Sequence, residues 1–176
     1  YAYALNNPIV FMDASGEDVM LASGLSPADG SMLRGAFAQI YAHSAGRASI
    51  NWLEARPEKV ILGAKGPLFS SLGVQVAGKA TGDPSIGVYG ALVDLAYAQS
   101  PVRTLGEELM HSLQVLERGY TGDPDPDIEA FKGTLGDNSP TPETRAESDR
   151  VLDTSPFGGG QGTSSGGSLS GFNNAN

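Results

Sequence analysis

Glu107, Glu108 and His111 are the residues whose types and spacing point most directly to chemistry. They lie in Thr-Leu-Gly-Glu-Glu-Leu-Met-His-Ser-Leu-Gln, residues 104–114. Successive residues of an α-helix turn by about 100°, so Glu107 and His111, four apart, share one face, with Glu108 beside them. Two ligands one turn apart can grip a single metal ion, and a neighbouring carboxylate can take a proton from water bound to that ion. A third protein ligand has to come from elsewhere, leaving one coordination position open. Two carboxylates and one imidazole make a metal less electron-poor, so its water is less acidic. The same oxygen-rich set moves preference from Zn²⁺ toward Mn²⁺, Mg²⁺ or Fe²⁺.

The zincin metallopeptidases carry His-Glu-x-x-His on a helix. Glu107-Glu108-Leu109-Met110-His111 resembles that motif, with Glu at the first ligand position. More narrowly, the stretch is similar to the zinc metallopeptidases that bacteria deliver into host cells by type III secretion. An apolar segment after Asp83-Pro84 precedes it, Ser-Leu-Gln continues it, Gly119 ends it, and an acidic helix containing Glu143 and Glu147 follows. The resemblance implies a metal-dependent endopeptidase with Zn²⁺ as cofactor and Glu108 as the base. It implies that Glu107, His111 and Glu143 hold the metal, with Glu129, Asp137 and Glu147 as other downstream acids. It also implies a secreted protein, a virulence effector delivered into the host cytoplasm, acting there on a host protein substrate. The expected fold is a single zincin-like α+β domain with a small sheet and an active-site helix, and a monomer is expected.

Other readings of the same residues stay open. Glu107 in place of His fits a catalytically inactive, zincin-like binding protein that holds no metal. It also fits an unrelated acidic α+β interaction module, with Glu107 and Glu108 on a solvated face, Arg103 paired to Glu107 at i,i+4, and His111 meeting Glu107 in solvent. Gly106 favours a packed helix, because glycine costs about 1 kcal/mol against alanine in an exposed helix interior. That cost makes sense where another backbone packs close.

The elements that would position these residues are legible in part. Ser100 followed by Pro101 opens a helix that Gly119 closes, and Val102, Leu105, Leu109, Leu113 and Leu116 make one apolar stripe opposite a polar rail. Ser26-Pro27, with Asp29 in the first turn and Leu33, Phe37, Ile40 and Tyr41 on one face, predicts an earlier helix ending at Gly46. Strands are expected at 9–12, 59–62 and, with weaker support, 72–77, and a turn at 82–84. Residues 86–98 are apolar without a settled period. Residues 121–127 read as a Pro- and Asp-rich loop, and 141–152 as a helix with Val151 and Leu152 at an apolar end. The domain is expected over residues 1–153. Residues 154–176, rich in Gly, Ser and Asn, read as a low-complexity flexible tail.

The 176-residue chain is long enough for one domain with a real core. Its net charge of −9, with 11 Lys and Arg, argues against a nucleic-acid surface and against docking on an anionic membrane. The absence of Cys removes disulfides, thiolate metal sites and cysteine nucleophiles. The sequence begins at Tyr1, which predicts a processed or trimmed N-terminus. Residues 73–80 nearly match a phosphate-binding loop, but Ala80 replaces the Mg²⁺-binding hydroxyl and no helix follows. Gly162-Thr-Ser164-Ser-Gly166 lacks the strand and helix of a nucleophile elbow. Asp123, Asp125 and Asp127 alternate like a calcium loop, but prolines interrupt them. His43 reads as a helix-terminal residue and Trp52 as core.

Overall fold

The computed structural model of the protein describes residues 19–119, 125–136 and 139–153. The expected strand at 9–12, Asp123, Asp137 and the segment 154–176 lie outside them. A four-stranded sheet is built from β1 (Val19–Leu21), β2 (Lys59–Ala64), β6 (Val88–Val93) and β5 (Gly78–Asp83), in that spatial order. The first three run parallel, and β5 is an antiparallel edge strand. A small hairpin, β3 (Leu68–Phe69) and β4 (Gln75–Val76), precedes β5. Among the described residues, five helices complete an α+β domain: α1 (Pro27–Ala42), α2 (Ser44–Glu54), α3 (Pro101–Arg118), α4 (Pro126–Thr134) and α5 (Pro142–Asp153).

The register explains which side chains meet the helices. Val19 lies opposite Val60, Val60 opposite Tyr89, and Leu62 opposite Ala91, so these residues share one face. All are buried, together with Leu33, Phe37 and Ile40 of α1 and Leu105 and Leu109 of α3. Each fully buried leucine contributes about 1.5–3 kcal/mol relative to leaving it exposed. On the same face β5 presents Gly78, Ala80 and Gly82, its smallest side chains.

The α3 helix runs as its sequence predicts. Ser100 Oγ accepts from the Arg103 N–H, Pro101 stands in the first turn, and Gly119 ends the helix at φ 77°. The Ser26 cap and Pro27 start of α1 also hold. Gly46 does not end that helix. His43 is the junction, and Gly46 sits inside α2, where a Cβ would overlap the Ile40 carbonyl oxygen.

Two further expectations are corrected. The loop expected over 121–127 gives way at its end to α4, capped by Asp125, whose carboxylate accepts from the Asp127 and Ile128 N–H groups. The turn expected at 82–84 falls later, because Gly82 and Asp83 still pair with Tyr89 and Val88. Trp52 is only partly buried, and the Arg56 guanidinium lies 4.7 Å from the centre of its ring.

Candidate functional site

Every side of α3 is used. Its apolar stripe meets α1 and the sheet, but Thr104, Glu108, His111, Ser112 and Gln114 are buried as well. The expected polar rail is a packed surface, contacted by β5 on one flank and α4 on another. Gly106 supports this packing through a side chain rather than a backbone: a Cβ there would overlap a Leu135 methyl group.

The structure sends the motif residues to different neighbours. Glu107 is largely buried, and its Oε2 lies 2.8 Å from Lys132 Nζ of α4. Lys132 also reaches Glu129 at 2.9 Å. The expected Arg103–Glu107 pair is replaced by this longer-range one, and Arg103 is exposed with no ion pair among the described residues. Burial of Lys132 works against its charged form, but hydrogen bonds to Glu107 and Glu129 outweigh it and hold the ammonium pKa above its ordinary value.

Glu108, adjacent in sequence, turns toward the sheet. It is 6% exposed, and its carboxylate lies against Gly78, where any Cβ would overlap Glu108 Oε1. A helix carrying Glu108 and Thr104 can approach β5 only because residue 78 has no side chain.

His111 meets neither Glu107 nor solvent. It is buried, with Nδ1 3.1 Å from Gln114 Oε1. Gln114 in turn donates its Nε2 to Asp125, the cap of α4. That donation fixes the amide orientation, so Gln114 Oε1 accepts and His111 Nδ1 carries the proton. In the neutral ring, Nε2 is then the nitrogen with a free lone pair. The His111–Gln114–Asp125 chain holds the imidazole as an outer hydrogen-bond partner holds a metal-ligating histidine. Its signal in the sequence is Gln114, three residues beyond His111, together with the Asp125-Pro126 cap.

Glu143 is not brought to this helix. It lies on the exposed first turn of α5, where its own backbone N–H and the Thr141 hydroxyl lower its carboxyl pKa. Glu147 pairs with Arg150 and Glu129 with Lys132. Among the described residues, no three His, Cys, Asp or Glu side chains are grouped to hold a metal ion. Of the expected donors, only Glu107 and His111 belong to one helix face, and Glu107 is ion-paired to Lys132. Among the described residues the expected donors are not gathered into one ligand set.

A cleft of about 470 Å³ opens beside Glu107, between α3, α4 and the start of β5. Ala77, Tyr97, Ser100, Arg103 and Lys132 line it with Glu107. A larger pocket of about 700 Å³ lies between the start of α1 and α5, and none of the motif residues line it. The smaller cleft reaches Ala77, just before β5, and among the described residues no strand pairs with the outer edge of β5. The Ala77 carbonyl accepts from the Asp94 N–H, so Ala77 faces β6. By strand alternation, residues 79, 81 and 83 also turn their backbone groups to β6, and residues 78, 80 and 82 turn theirs outward. Comparisons with protein-family models, curated proteins and solved structures found no match for this chain.

Proposed function

We propose that this protein is a zincin-like, catalytically silent binding protein that takes an extended peptide along the outer edge of β5. The observation that carries the reading is the Lys132 ammonium 2.8 Å from Glu107. A fixed cation sits against the carboxylate at the first ligand position of the motif. Two further features support a retained cleft. Glu108 remains buried beneath β5, and among the described residues no strand pairs with the outward backbone groups of Gly78, Ala80 and Gly82, which could take an added strand.

A second reading, a metal-dependent endopeptidase of secreted-effector type, draws support from His111. Its Nδ1 is held by Gln114, which leaves the Nε2 lone pair for a ligand. That reading needs a donor other than Glu143 to complete the site, together with displacement of Lys132 from Glu107. The catalytic proton acceptor would be Glu108, the residue packed against Gly78.

Metal content and peptide binding separate these readings. The purified chain is dialysed against Zn²⁺ and its metal measured. It is then titrated with acetyl-Ala-Val-Asn-Val-Ala-amide while backbone amide resonances are followed. The silent reading expects substoichiometric zinc, no cleavage, and shifts centred on Gly78, Ala80 and Gly82. Glu107→His combined with Lys132→Ala should raise zinc affinity by at least about tenfold, as a second imidazole replaces an ion-paired carboxylate. Stoichiometric zinc with cleavage by the unmodified chain supports the endopeptidase instead. Neither zinc nor shifts along β5 returns the protein to an unrelated acidic interaction module.

A further inference from the structure

The cleft beside β5 is chemically asymmetric. Two basic side chains line it, Arg103 and Lys132. Lys132 is committed to Glu107 and Glu129. Arg103 is exposed and, like Arg47 and Arg145, has no ion pair among the described residues, whereas Arg34, Arg56, Arg118 and Arg150 each have one. Its position is fixed at the edge. Arg103 lies in the first turn of α3, one residue before Thr104, whose methyl group packs against Gly78. It is also one turn before Glu107 on the same helix face. A guanidinium with five donors and no acceptor among the described residues therefore stands near the start of β5, whose outward backbone groups pair with no described strand.

Neighbouring acids do not pair with it. Glu107, the carboxylate one turn away, is held by Lys132, which it shares with Glu129, so this trio keeps one net negative charge but makes no ion pair with Arg103 among the described residues. Glu108 is buried against Gly78 and turned toward the sheet. Asp94, at the end of β6, is buried and accepts from the Ala96 and Tyr97 N–H groups and from Gln75. The net charge of −9 attracts cations at long range. Yet such fields are screened beyond about 8 Å at physiological ionic strength, so inside the cleft the nearest unpaired charge decides.

Resting on the peptide-binding reading above, we propose that this cleft selects extended peptides bearing an acidic side chain, their backbone paired to Gly78 and Ala80 and their carboxylate held by Arg103. An Arg–carboxylate contact with two parallel hydrogen bonds supplies directional selectivity that a bare edge strand lacks.

The probe is the neutral pentapeptide acetyl-Ala-Val-Asn-Val-Ala-amide and two matched sets, in which Asp or Lys is walked through the five positions. Affinities come from amide shifts of the full chain. At least one Asp register should bind about tenfold tighter than its Asn counterpart, as expected for a charge-assisted contact, and the gain should shrink with added salt. Arg103→Gln should bring the Asp and Asn peptides to the same affinity, and Arg103→Lys should keep part of the difference. Far-UV circular dichroism shows that the variants are folded. Equal affinity of Asp and Asn peptides for the unmodified chain overturns the acidic selectivity while leaving edge binding in place. So does tighter binding of the Lys peptides, or a preference that survives Arg103→Gln. Failure of every peptide to shift Gly78, Ala80 or Gly82 overturns the edge-binding reading itself.

Discussion

Lys132 and Glu107 tie α4 to α3 through an ion pair. Their pair is three-quarters buried on both sides, with side chains 25% exposed, so it is screened less than a surface pair. Lys132→Met should cost about 1 kcal/mol near neutral pH, measured by urea denaturation, because it leaves Glu107 unpaired. The alkaline limb tests the same contact. The folded-state pKa of Lys132 is raised above 10.5, so its contribution is fully present below that pH and is lost as pH rises through the folded value. Tyr41, whose pKa burial raises above 10.0, acts in the same direction, since the unfolded chain ionises first. Stability should therefore fall above about pH 10 in the unmodified protein. In Lys132→Met the fall should be shallower, leaving the tyrosine part. An identical alkaline profile in the two proteins would show that the ammonium is not held by Glu107.

At the scale of elements, the α3–β5 approach determines the site. Gly78 and Gly82 carry no side chain where Glu108 and Thr104 fill the space beside the first and the Tyr89 ring fills the space beside the second. Gly78→Val forces a branched side chain into Glu108 and Thr104, and overpacking of this kind costs about 1–3 kcal/mol. Peptide-induced shifts along β5 should weaken in the same variant, since the helix must back away from the strand. A Gly78→Val chain as stable as the parent, with unchanged shifts, would mean that α3 does not define this edge. The start of α4 is fixed from the other side. Asp125 both caps that helix and receives Gln114 Nε2, so the cap of one helix orients the histidine of another.

For the whole molecule, α3 is the shared element. It packs against α1, α2, α4, β5 and β6, and its Leu105 and Leu109 lie in the core with strand residues of the sheet. With one core joining all these elements, no part of the described fold can lose α3 and stay intact. Urea unfolding should therefore be a single transition, with Trp52 fluorescence and far-UV circular dichroism giving coincident midpoints. Separated midpoints would indicate that α2, which carries Trp52, opens independently of the sheet.

Local chemistry determined much of this fold. Cap-and-proline pairs begin α1 at Ser26-Pro27, α3 at Ser100-Pro101 and α5 at Thr141-Pro142, each with a side-chain oxygen accepting from the first turn. Asp125-Pro126 has the same form and starts α4, but its setting among alternating prolines and aspartates conceals a nine-residue helix in what reads as a loop. The stripe from Val102 to Leu116 likewise assigns α3 and its core face. The direction of each polar side chain was not legible, because helix periodicity fixes an angle and not a neighbour. Glu107 and Glu108 differ by one step of that angle, and one meets Lys132 from 25 positions downstream while the other meets Gly78. Such partners are far away in sequence, and only the packing of β5 and α4 against α3 decides which carboxylate packs against the sheet, which gains a counter-ion, and which nitrogen of His111 is free.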